Sequence, residues 1–354
     1  MCDDSIKTEC HESNSAVSRE VYIDVIRIVA ILGVIMIHVS SGGFDAKSVE
    51  PNSYEWAIYA IYNASVRFSV PVFIMITGAL YGRPDKAIDL KKLYTNNIFR
   101  LLVAMLFWYF VYKIAHTGIG RLWYLAMCIS LYMIIPFLRM VTASEKMTRY
   151  FMILSLVFSF GVPTFLLLPL GGILPPVILR MLMEFHKAFY ESSSFHLGFG
   201  LYSYFVLGYV CSIIKIDKRA LKKVSLIGFW GFAYTILGTL IYSWVSNSKL
   251  TIFLHWHSLN AMMEAIFIFI FIRYWSDRLK CSAQICKILA KVADAVFGVY
   301  LVHTVVQHYL SLAIRPLEFN PFWMNFAMML MIFFCSLFVA LMIRKIPFLG
   351  KYIV

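Results

Sequence analysis

Runs of about 20 apolar residues, each long enough to cross the ~30 Å hydrocarbon layer of a bilayer as a helix, recur along nearly the whole chain. Ten can be drawn, at about 21–41, 56–80, 98–115, 121–139, 149–168, 197–214, 222–245, 250–273, 290–312 and 322–344. Backbone N–H and C=O groups find no water in lipid, so each run predicts a helix; the period-two alternation that a closed barrel needs is absent. Composition agrees. Of 354 residues, 61% are hydrophobic and 14% charged, and the mean hydropathy is +0.76. A soluble globule must cover itself with more polar surface than that. The expected fold is all-α: a polytopic bundle of about ten transmembrane helices (residues 21–345) between an N-terminal tail (1–20) and a C-terminal tail (346–354). The first run follows some 20 polar residues and is interrupted by Asp24 and Arg27, which predicts a retained span and not a cleaved leader. No internal repeat, low-complexity segment or second domain is visible.

The net charge of +13 does not point to nucleic acid, because the basic residues lie in short connections between apolar runs. Counted along alternate sides, 23 of the 32 Lys and Arg fall on the side of both termini and 7 on the other, with Arg27 and Arg67 inside spans. The positive-inside rule then places both termini in the cytoplasm of a cell-membrane protein. The longest outer connection, about 169–196, carries Gly171-Gly172, Pro175-Pro176, Glu184, His186 and Glu191, as a cover over a site or simply a long loop. The seven cysteines, Cys2, Cys10, Cys128, Cys211, Cys281, Cys286 and Cys335, form no ligand cluster and read as free thiols. No metal site is expected: His255 and His257 flank Trp256 at a span end, where an interfacial aromatic belt accounts for them, and HExxH is absent.

Charges inside spans are costly enough, at least ~2.5–3.5 kcal/mol at the bilayer centre, that they normally face a partner or a cavity. In the first span Arg27 and His38 are eleven positions apart. That spacing brings them within roughly 20° of one face and about 16 Å apart along the axis. Asp24, one turn below Arg27, is placed to pair with it. The bland alternative is a structural Asp24–Arg27 pair and a His38 at the outer membrane end; against it, imidazole is the side chain suited to moving protons near neutral pH. Arg67 lies mid-span before Pro71 and Thr77-Gly78, where the proline predicts a kink and the glycine close packing. It either binds an anion or pairs with Glu264, mid-span in the eighth run. His303, within Phe297-Gly-Val-Tyr300-Leu-Val-His303, reads first as a hydrogen-bonded packing residue.

These residues resemble the membrane-bound acyltransferase-3 family. Arg27, ten residues and His38 match its R-x10-H signature. Arg67-Phe-Ser-Val-Pro71 with Thr77-Gly78, Leu122-Trp123-Tyr124-Leu125 with Tyr132 and Pro136, and Phe297-Gly298-Val-Tyr300-Leu-Val-His303 follow in family order. The likeness covers about 20–345 and looks similar to the branch containing the O-acetyltransferase of enterobacterial common antigen. It implies an O-acetyltransferase that moves an acetyl or other short acyl group from acetyl-CoA (acyl-CoA), with no tightly bound cofactor, to a hydroxyl of a glycan or lipid-linked glycan. His38 would be the general base and Arg27 its partner; Arg67, Arg100, Trp123 and Tyr300 would bind the donor or stabilise an oxyanion, with Asp24, Glu264 and His303 in support. Many members carry an R-x-x-R pair before the third span; here the segment reads Asn97-Ile-Phe-Arg100, so donor binding must differ. Lys91, Lys92 and Arg100 are candidates to hold the donor's phosphates. Two other classes stay open at this stage: a transporter or flippase using the same charges as a pathway, and a sensor with a degenerate site.

Overall fold

The computed structural model describes residues 20–166, 177, 178, 181, 184, 200–249, 251–279, 281–314 and 320–354. Among them every regular element is helical. The N-terminal tail through residue 19 lies outside the described residues, as does most of the 169–196 connection, including His186 and Glu191.

Eight segments are long and apolar enough to cross a membrane. They are α1 (Val21–Phe44), the pair α2 (Tyr54–Ala64) and α3 (Ser69–Tyr81), α4 (Leu90–Ile114), α5 (Ile119–Thr142), α6 (Glu145–Phe165), α8 (Lys218–Ser246), α9 (Leu259–Ser276, with a short turn at Ile252–Leu254 before it) and α11 (Pro321–Arg344). The other two predicted runs fall in α7 (Tyr202–Ile213) and α10 (Ala283–Ile314). At 1.5 Å per residue α7 reaches only about 18 Å, short of the hydrocarbon thickness, whereas α10 reaches about 48 Å.

The second run is broken rather than merely kinked. α2 stops with Ser65 N–H on the Ile61 carbonyl, and α3 restarts at Ser69 after a four-residue turn that holds Arg67. Pro71 accounts for the break. It has no N–H to give to the Arg67 carbonyl, so it is accommodated in the first turn of a new helix, where no intrahelical donor is needed.

α1 is the axis of the bundle. It packs on α2, α3, α9, α10 and α11, and 61% of its apolar window is buried, against 22% for α8 at the periphery. Asn63 of α2 ties the outer end of α1 in place by donating to Ser40 Oγ (3.0 Å) and Ser41 Oγ (2.9 Å). α3 and α7 cross at backbone contact: a Cβ on Gly78 would overlap the Phe205 carbonyl, and one on Gly208 the Met75 carbonyl. Small residues at such crossings replace the hydrophobic drive that lipid does not supply.

Residues 346–354 do not extend as a tail. A short helix, α12 (Pro347–Tyr352), turns the chain back onto the bundle, and Ile353 and Val354 are buried. Trp108 Nε1 donates to the Ile353 carbonyl (3.0 Å) and Arg100 to the backbone oxygen of Val354 (2.8 Å). Two apolar residues and two side-chain donors for their backbone oxygens make docking favourable. Of the cysteines, Cys128, Cys211, Cys281, Cys286 and Cys335 are unbridged, while Cys2 and Cys10 lie outside the described residues.

Replacing Gly78 by valine should force α3 and α7 apart and cost about 1–3 kcal/mol, the usual range for overpacking. Gly42→Ala, where a Cβ meets nothing within 4 Å, is the control. Thermal melting in detergent reads both; equal melting temperatures would contradict the backbone contact.

Candidate functional site

The face of α1 that carries Arg27 and His38 lies against α10. Arg27 shares a cavity with Asp294, Phe297 and Tyr300, while the His38 ring stacks on that of His303, with centroids 5.3 Å apart and planes at 26°. Further along, Gln307 Nε2 donates to the His38 backbone carbonyl (2.9 Å). Rising residue numbers on α1 meet rising numbers on α10, so the two helices run parallel. The eleven-residue spacing thus puts both side chains of the pair on one helix face, as expected. Asp24 lies 3.6 Å from Arg27 across one turn.

The cavity that Arg27 lines measures about 370 Å³ and lies among α1, α3, α4, α5, the middle of α10 and the end of α11. Arg100 and Arg344 line it too, together with Asn97, Tyr81, Tyr124, Tyr132 and Asp294. The ends of α3 and α11 adjoin Lys- and Arg-rich connections. Lys91 and Lys92 are exposed and line no part of it, and Lys92 pairs with Asp89 at 3.8 Å. Trp123 also stays outside. It stacks on Trp256 (4.7 Å, 19°), and its neighbour Tyr124 enters the cavity instead.

A second cavity, about 250 Å³, lies at the opposite end of the bundle and is lined by His116, Arg121, Thr304, Gln307 and His308 among others. His38 lines neither cavity and stands between them. Tyr300 lines the first, its ring 5.7 Å from that of His303, and its hydroxyl donates to the Arg121 carbonyl (2.5 Å). Arg121 lines the second and donates to Gln307 Oε1 (2.9 Å). Tyr300 and Arg121 therefore form the partition beside the stacked imidazoles. Tyr112 supports it from α4, giving its hydroxyl to the Leu301 carbonyl (2.8 Å).

His303 is fully buried, with Nδ1 hydrogen-bonded to the Tyr300 carbonyl. A carbonyl only accepts, so Nδ1 carries the proton and Nε2 keeps its lone pair. That Nε2 has no partner. The packing role expected for His303 explains one ring nitrogen and leaves the other poised as a base.

Arg67 sits in the turn between α2 and α3, within electrostatic reach of His38. It faces Glu264 without a direct ion pair, and its Nε is buried and unpartnered. Glu264 is held elsewhere: Thr235 gives its hydroxyl to Oε1, and Asn260 donates to Thr235 Oγ1 (2.7 Å) and to the Phe253 carbonyl (2.9 Å). The expected Arg67–Glu264 pair is thus a loose electrostatic one. It leaves the guanidinium with a free donor at the depth of the histidines.

Sequence reading passed over Arg121, Gln307 and Arg344. Arg121 and Arg344 counted only as charges in connections. Gln307 was legible in principle, as a polar residue one turn beyond His303 on the same helix face. Among the described residues no group of three or more His, Cys, Asp or Glu side chains is placed to hold a metal ion.

Comparison with protein families finds one match, the acyltransferase domain of the acyltransferase-3 family, over residues 20–345. No curated protein and no solved structure matches the chain, so the narrower likeness to the enterobacterial common antigen branch gains no support. The family match covers nearly the whole described bundle and both cavities, and the chain belongs to the acyltransferase-3 family as a multi-pass membrane acyltransferase.

Proposed function

We propose that this protein transfers an acetyl or other short acyl group from acyl-CoA to a hydroxyl of a glycan or lipid-linked glycan, as an O-acyltransferase of the cell membrane with both termini in the cytoplasm. One observation carries the reading above all: the stacked His38–His303 pair lies between an arginine-lined cavity at one end of the bundle and a separate polar cavity at the other. The first suits a polyanionic nucleotide donor, since Arg27, Arg100 and Arg344 outnumber Asp294 among its charged residues. The thioester arm extends from there along α1 toward His38. The acceptor hydroxyl comes from the side of Arg121, Thr304 and Gln307.

In the transfer step His38 accepts the hydroxyl proton as the acceptor oxygen bonds to the thioester carbonyl carbon. Collapse of the tetrahedral intermediate breaks the C–S bond, and the imidazolium returns its proton to the departing thiolate. Arg67, with its unpartnered Nε, is better disposed than Tyr300 to stabilise the oxyanion, because the Tyr300 hydroxyl is already committed to the Arg121 carbonyl. Gln307 positions His38 through its backbone carbonyl. Membership of an acyltransferase family does not favour the transport alternative.

His38→Ala should lower acyl transfer by about 10²–10⁴-fold, the range of a lost general base, with abundance and melting temperature unchanged. Labelled acetyl-CoA and candidate glycans, incubated with purified protein, measure it; undiminished transfer removes His38 from the chemistry. Arg67→Gln should reduce kcat by about 10²–10³-fold with little change in donor affinity, as expected for a lost oxyanion donor. A loss confined to KM would instead assign Arg67 to binding.

A further inference from the structure

We propose that Arg344, at the end of α11, joins Arg100 in holding a phosphate group of the acyl donor, and so replaces the guanidinium that Asn97 lacks. The inference rests on the donor reading above. Asn97 is neutral and donates to the Tyr81 hydroxyl (2.9 Å), so it brings no charge to the cavity it lines. Arg344 lines the same cavity from a different helix, and it is a charged neighbour of Arg100.

Arg100 is built to be held still. One terminal nitrogen donates to the backbone oxygen of Val354 (2.8 Å), its guanidinium lies over the Phe297 ring at 5.1 Å, and its Nε is buried without a partner. The Arg344 backbone is fixed as well. α12 returns so closely that a Cβ on Gly350 would meet the Arg344 carbonyl at 2.5 Å. With the Arg100 guanidinium held and that of Arg344 as its charged neighbour, the two like charges repel until an anion lies between them. Asp294, the acidic residue of the cavity, is a single carboxylate among three arginines. A phosphate offers several acceptor oxygens to two forks at once, which a neutral thioester does not. A lipid headgroup carries the same phosphate chemistry as a nucleotide donor, so a test must separate the two sources.

The experiment uses the full chain in detergent and in nanodiscs, and measures equilibrium binding of CoA and of pantetheine, which lacks the nucleotide phosphates. Arg344→Gln should weaken CoA binding by about 10–100-fold, the loss of a charge-assisted pair, and leave pantetheine binding and melting temperature unchanged. Arg344→Lys should recover part of the affinity, and Asn97→Arg introduced into Arg344→Gln should recover most of it. Unchanged CoA affinity in Arg344→Gln overturns the inference, as does an equal loss for CoA and pantetheine. So does an effect seen only as altered retention of phosphatidylglycerol in nanodiscs. Failure of the unmodified protein to bind CoA would instead sink the donor reading itself.

Discussion

The parallel packing of α1 on α10 is the contact on which the rest of the site depends. It sets Arg27 in one cavity with Tyr300 and stacks His38 on His303, so that a cation and an imidazole about three turns apart face the same neighbouring helix. α1 reaches this position because it is surrounded: five helices cover it. A helix facing lipid on one side has half its surface closed to polar groups. A central helix can instead carry Asp24, Arg27 and His38 and give each of them protein neighbours.

Around that axis the bundle spends its polar groups at helix breaks and ends. The turn between α2 and α3 places Arg67 near His38; the returning α12 steadies Arg100; the start of α5 brings the Arg121 carbonyl to Tyr300. Each is a place where the backbone leaves regular helix and its free groups need partners. Side chains that supply those partners are fixed at the same time. That is how loosely patterned apolar helices hold a site to well-defined geometry.

Much of this was legible in the sequence. Span positions follow from hydropathy, the Arg27–His38 alignment from helical pitch, and the close crossing at Gly78 from the need for small residues between helices in lipid. What was not legible depends on which helices are neighbours. No local pattern says that Arg344 reaches the cavity of Arg100, that Lys91 and Lys92 stay at the surface, or that Trp123 turns to Trp256 while Tyr124 turns inward. The second span was readable only in part: Pro71 announces a disturbance, but whether a helix bends or stops depends on whether neighbours satisfy the freed backbone groups. The docking of residues 346–354 was not legible either, because nothing in nine residues with one charged side chain says that a tryptophan and an arginine of another helix await the backbone oxygens of the last two.

The wall between the two cavities has an electrical consequence. Their linings share no residue, and Tyr300, Arg121 and the stacked imidazoles occupy the ground between them. Small groups handed across such a wall need no open pore, and a plug of aromatic rings and a guanidinium resists the passage of hydrated cations. The transfer proposed above would therefore need no continuous water-filled channel from one face of the bundle to the other.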